Sequence, residues 1–188
     1  MNAVIATRKY TPEDLLRMPD GDRYELIDGE LVEKVMSMKS CYVAGKIYAR
    51  IDQHAQTHRQ GWVFSEGNTY QCFRDAPKKV RKADTSFIRL DRLTLAEFNQ
   101  DGHCPIAPDL SVEVVSPNDV KYDVDRKVGE FLNAGTQLVW VVNPDAKTVE
   151  IHRADGTGII LHENDQLSGE DVLPGFSCRV GDLFITPQ

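Results

Sequence analysis

The chain has no apolar run of the roughly 18 or more residues that a membrane span needs. Nor does it open on an apolar core behind a basic start, the pattern of a secretory leader. A cytoplasmic protein without a membrane partner is the expectation. Its four cysteines, Cys41, Cys72, Cys104 and Cys178, form no C-x-x-C pair, which supports neither a zinc knuckle nor a redox motif and leaves reduced thiols as the default. Excess positive charge is missing too: 22 Lys and Arg face 29 Asp and Glu, for a net charge of -7. That argues against coating nucleic acid by charge alone, but not against an acidic site that recruits divalent cations, which in turn meet phosphate. No zinc finger, recognition helix or aromatic stacking repeat names a base-reading element. No linker divides the chain, so residues 1–188 read as one domain.

The most informative stretch present is Ala107 to Asp119, APDLSVEVVSPND. Successive strand side chains alternate faces, so Leu110, Val112 and Val114 point one way, and Asp109, Ser111, Glu113 and Val115 the other. A buried-looking strand therefore carries acids on one face, just before Ser116-Pro117-Asn118-Asp119 stops it and signals a turn and helix start. The helix expected from Asp119 to Ala134 has Val124, Val128, Phe131 and Leu132 on one stripe and Gly135 as its stop, with Asp125, Arg126, Glu130 and Asn133 opposite. Lys127 lies about 60° from Val124, at the edge of that stripe, where it can reach over the sheet or snorkel to solvent. Gln137 to Asn143, QLVWVVN, reads as a strand buried on both faces, and the strand, helix, strand unit makes it parallel to the one around Leu110.

Upstream, Thr11-Pro12-Glu13-Asp14 is a helix start. Tyr24 to Glu33 is a hairpin about Asp28-Gly29, with Glu25 opposite Val32 and Ile27 opposite Glu30. That register puts Glu25 and Glu30 on one face, either as acids able to touch a metal or as solubility charges on an edge. Lys39 to His58 is an amphipathic helix that ends in His54 and His58, a pair whose zinc-compatible spacing lacks the glutamate of an H-E-x-x-H site and which the helix dipole equally explains. Two short strand-like runs lie about Gly67-Asn68. The one basic cluster, Lys78 to Lys82, reads either as a solvated loop or as a phosphate contact, and leads into a strand around Asp84. Leu93 to His103 is a looser, partly helical connection, a further hairpin flanks Asp155-Gly156, and short strands and turns finish the chain.

Asp84 at one strand start and Glu113 near the end of a neighbouring strand can share one divalent cation through oxygen ligands. A cation so held polarises a phosphoryl oxygen and lowers the pKa of a bound water, and a nearby lysine such as Lys127 stabilises developing charge. Lys121 is the rival lysine. Asp109 can pair with this site or serve as a turn residue.

YELIDGELVE, KADTSFI around Asp84, APDLSVEVVSPND around Glu113, Asp123-x-x-x-Lys127-x-x-x-Phe131-x-x-x-Gly135, VWVVNP and LPGF together resemble the Uma-type family of restriction-endonuclease-like proteins, a domain of unknown function placed in the PD-(D/E)XK superfamily. The resemblance covers most of the chain. It implies an α/β (α+β) fold with a restriction-endonuclease-like core: a mixed central sheet of about four strands flanked by helices, with β-hairpins added at the N- and C-terminal ends. It also implies that Asp84 and Glu113 are the motif acids, that the Val114 carbonyl is a further metal ligand, and that Mg2+, or Mn2+, is the cofactor. The chain departs from the motif at Ala83, where proline is usual, and at Val115, where the motif lysine should stand. Lys127 is the implied substitute.

Three functions compete: a magnesium-dependent endonuclease acting on DNA through a metal-activated water, a catalytically weakened nuclease-like module that binds nucleic acid or protein, and a hydrolase of some other phosphate ester. A homodimer would suit the two strands of a duplex.

Overall fold

The computed structural model describes residues 8–187, so the reading of Met1 to Thr7 lies outside it. Helix α1 (Pro12–Arg17) opens with a capping box, in which the Thr11 hydroxyl accepts from the Asp14 N–H and the Asp14 carboxylate accepts from the Thr11 N–H. Strands β1 (Tyr24–Ile27) and β2 (Glu30–Glu33) pair in the expected register. Asp28 and Gly29 take φ of 53° and 84°, the left-handed pair that a tight type I′ hairpin turn demands. Val80 then holds this hairpin to the body of the protein by exchanging backbone hydrogen bonds with Leu26, at 2.8 and 2.9 Å.

Helix α2 (Met38–His58) is capped by the Ser37 hydroxyl. After it come β3 (Gly61–Ser65), β4 (Thr69–Tyr70), β5 (Arg81–Lys82), β6 (Thr85–Arg89), the short α3 (Leu95–Phe98) and β7 (Leu110–Val114). The runs on either side of Gly67-Asn68 do not pair with each other, because β3 joins β6 while β4 joins β5. Helix α4 (Lys121–Ala134) leads into β8 (Leu138–Asn143), β9 (Thr148–Arg153) and β10 (Gly158–Leu161), and a small hairpin of β11 (Gln166–Ser168) and β12 (Ser177–Arg179) closes the described chain.

Six strands form the central sheet, in the order β10-β9-β8-β7-β6-β3. Strands β7 and β8 are parallel, as a helical crossover requires, and every other neighbouring pair is antiparallel. The sheet is therefore mixed. The hairpin about Asp155-Gly156 extends it at one edge, which gives six strands where the resemblance implies about four. On one face α2 lays Val43, Ile47 and Ile51 against Val112, Val114, Trp140 and Val142. On the other, Val128 and Phe131 of α4 cover Ile88, Val139 and Val141. Phe131 is fully buried, so truncation to alanine should cost about 3–5 kcal/mol.

Three local expectations need correction. Helix α4 begins at Lys121 rather than Asp119, because the Asp119 carboxylate accepts from the Ser116 N–H at 2.7 Å and is spent on the preceding turn. The basic run is solvated only at its start: Lys78 is exposed, but Arg81 and Lys82 are 3% and 4% exposed. Glu130 does not face solvent opposite the apolar stripe but turns inward to Arg81.

Candidate active site

The antiparallel pairing of β6 with β7 places Thr85 opposite Val112. Asp84 extends that ladder by donating its N–H to the Val112 carbonyl at 3.0 Å. One of its carboxylate oxygens, Oδ2, accepts from the Val114 N–H at 2.6 Å. The other, Oδ1, meets the Lys34 ammonium at 2.5 Å, outside good hydrogen-bond alignment. Glu113 follows Val112 and so projects to the opposite face, under α4. Its Oε2 accepts from Lys127 at 2.8 Å and from Lys34 at 3.2 Å, while its Oε1 is buried without a partner. The two acids are thus joined through one ammonium.

Lys127 is 7% exposed, so it reaches over the sheet rather than snorkelling outward. Besides Glu113 it contacts Glu25 Oε1 at 2.9 Å. Glu25 in turn accepts from Arg81 at 2.8 Å and from the Lys82 N–H at 2.9 Å. Arg81 continues to Glu130 at 2.7 Å, and Glu130 to Lys79. Four carboxylates (Asp84, Glu113, Glu25, Glu130) thereby alternate with four cations (Lys34, Lys127, Arg81, Lys79). Such a chain is neutral as a whole, which is what lets it be buried.

Its members are unequal. Burial pushes Glu113 toward holding a proton more tightly than an ordinary glutamate, and the lysines on either side only partly oppose it. Burial acts the same way on Glu25, but there Lys127, Arg81 and Lys34 win and hold it well below the usual carboxylate range. For Lys34, burial works against the ammonium, yet Asp84, Glu113 and Glu25 raise its proton affinity well above normal.

Other candidates lie elsewhere. Asp109, at the opposite end of β7, accepts from the Arg89 N–H and binds Arg92, each at 2.9 Å. Lys121 is exposed and bridges Asp125 and Glu150. Glu30 pairs with Lys9 at the surface, which separates it from Glu25. His54 shares a hydrogen bond with the Pro174 carbonyl and His58 with the His54 carbonyl. Pattern does not separate Lys34, Glu25, Arg81 and Glu130 from surface charge, since the docking of the hairpin on Val80 is what carries Lys34 to Glu113 and Glu25 to Arg81.

The site opens into a cleft of about 550 Å³ lined by Lys34, Asp84, Glu113 and Lys127, with Ser116 and Asn118 at the turn after β7. Among the described residues, no cluster of three or more His, Cys, Asp or Glu forms a metal cage. The oxygens that are present nevertheless suit a hard divalent cation. Glu113 Oε1 is a buried carboxyl oxygen without a partner, and Asp84 Oδ1 already faces a cation. No described helix is long and apolar enough to cross a membrane.

Comparison with solved structures finds the same fold in a protein described as a putative nuclease belonging to DUF820 from Anabaena variabilis ATCC 29413, with a TM-score of 0.78 and 22% identity over 93% of this chain and 97% of that one. No curated protein matches. A family model described as "Uma2: Putative restriction endonuclease" matches residues 12–181, nearly the whole of the described chain, and the protein belongs to that family.

Proposed function

We propose that this protein is a metal-dependent endonuclease that hydrolyses phosphodiester bonds in DNA, with residues 1–188 acting as one PD-(D/E)XK-type domain. One observation carries the reading: Asp84 and Glu113 share an ammonium at 2.5 and 3.2 Å, and Glu113 also holds Lys127 at 2.8 Å, at the bottom of an open cleft. Asp84, Glu113 and the Val114 carbonyl would hold Mg2+, or Mn2+ in its place. When bound, the ion supplies a polarised phosphoryl oxygen and a water of lowered pKa.

The protein's own groups do the rest. Asp84 has one oxygen anchored on the Val114 N–H, which fixes the direction of the other. Lys127 stands in for the lysine that Val115 lacks: it arrives from α4 rather than from the strand, yet reaches the same carboxylate. Its ammonium can neutralise charge growing on the phosphate and hold the attacking water. Glu25 keeps Lys127 in place, and Arg81 keeps Glu25 in place. Two copies would serve the two strands of a duplex.

Nicking of supercoiled plasmid in Mn2+ tests the reading. The native protein should nick, chelation should stop it, and Asp84→Ala and Lys127→Ala should each abolish it. A native protein that binds DNA without nicking it at saturating metal would instead favour a binding module.

A further inference from the structure

Lys34 is the cationic group that this reading of the site leaves without a task. It follows β2 directly, its backbone N–H is tied to the Arg23 carbonyl at 3.1 Å, and its side chain crosses the cleft to end between Asp84 and Glu113. It touches Asp84 Oδ1 and Glu113 Oε2, one oxygen from each of the two acids that would hold a divalent ion. It is also the most accessible member of that group: its side chain is 17% exposed, against 1% for Asp84, 8% for Glu113 and 9% for Lys127. Lys127 is held from two sides, by Glu113 and Glu25. Lys34 lines the cleft, and among the described residues its ammonium is held there by Asp84 and Glu113 alone.

Charge decides what happens when a divalent ion arrives. The four acids and four bases of the buried chain already balance. A dication added to that set would leave two uncompensated positive charges in a poorly solvated place, and the exit of one ammonium cuts that excess to one. Two cations also cannot occupy one space between Asp84 and Glu113.

We infer that Lys34 is a tethered counter-cation that occupies the divalent-ion position, so that metal loading is an exchange in which the Lys34 ammonium swings out into the cleft as the ion enters. The inference rests on the metal-site reading above. It adds that the chain carries its own competitor for the metal, which keeps Asp84 and Glu113 neutralised when no metal is bound and sets the affinity for the ion. Once displaced, the ammonium remains in the cleft through which a phosphate would approach, so the exchange moves a positive charge from the acids toward the substrate.

The test is calorimetric titration of Mn2+ into the full chain without DNA. Lys34→Met keeps the apolar stem and removes the charge, and should tighten Mn2+ binding roughly tenfold or more, since the ion no longer competes with a buried ion pair. Asp84→Asn should abolish binding. Unchanged or weaker binding in Lys34→Met, with binding still lost in Asp84→Asn, would overturn the exchange and leave the metal site standing. Binding retained in Asp84→Asn would overturn the metal site itself. A second readout needs no variant: amine acylation of the native protein, mapped by mass spectrometry, should rise several-fold at Lys34 on saturation with Mn2+ while Lys127 stays protected. Labelling of Lys34 that stays constant or falls would overturn the exchange.

Discussion

Asp109 and Glu113 lie on the same face at the two ends of β7, roughly 13 Å apart at the usual strand rise, and are 2% and 6% exposed. Their surroundings differ in kind. Asp109 is satisfied by a backbone N–H and by Arg92, and its own backbone ties β6 and β8 together through Phe87, Gln137 and Leu138. Glu113 has one oxygen with no partner and the other held only by lysine ammonium groups. A buried carboxylate with rigid, complete partners belongs to the scaffold. One with an orphaned oxygen and long-stemmed partners is stabilised less and is open to a ligand.

Substitutions should separate these two acids. The largest effect is expected for Glu113→Gln, with plasmid cleavage falling about a thousandfold, or some 4 kcal/mol of transition-state stabilisation, while the unfolding free energy changes by under about 1 kcal/mol. Asp109→Ala should do the reverse. It should lower stability in chemical denaturation by about 3 kcal/mol, since Arg92 loses its buried partner, and leave cleavage per folded molecule nearly unchanged.

Glu25→Gln should fall between them, with a loss of about 2–3 kcal/mol at neutral pH and a distinctive pH profile. Because the folded protein holds Glu25 below its ordinary value of 4.5, its contribution is complete above that pH and is lost as pH falls toward the folded value. The stability gap between the native protein and Glu25→Gln should therefore narrow from about pH 5 downward. Glu113 carries the opposite sign: its raised proton affinity makes its ionised form a burden as pH rises above the ordinary value. The smallest effect belongs to Lys121→Ala. It should change stability by less than about 0.5 kcal/mol and leave cleavage intact, because its ion pairs are exposed.

Much of this was legible in the sequence, for identifiable reasons. The alternation of Leu110, Val112 and Val114 against Glu113 survives as the two faces of β7 because a strand's period of two leaves no other arrangement. The Asp28-Gly29 turn set the register that turns Glu25 inward. The angular position of Lys127 beside the apolar stripe left both reach over the sheet and snorkelling open, and its bond to Glu113 decides for the former. What could not be read was whatever depends on docking between distant segments. The basic run around Arg81 looks solvated until Leu26 pairs with Val80 and brings Glu25 onto it. Lys34 looks like one more surface charge at a hairpin end until the cleft closes around it. Glu130 sits on the polar side of its helix by periodicity, but the same docking supplies Arg81 and Lys79 as partners for it.

The comparison between the two ends of β7 reduces to one measurement: Mn2+ binding by calorimetry in the native chain, Glu113→Gln and Asp109→Asn. Binding lost in Glu113→Gln and kept in Asp109→Asn is the predicted result. Binding that survives Glu113→Gln, or that disappears only with Asp109, would contradict the assignment of the metal site to the Glu113 end of the strand.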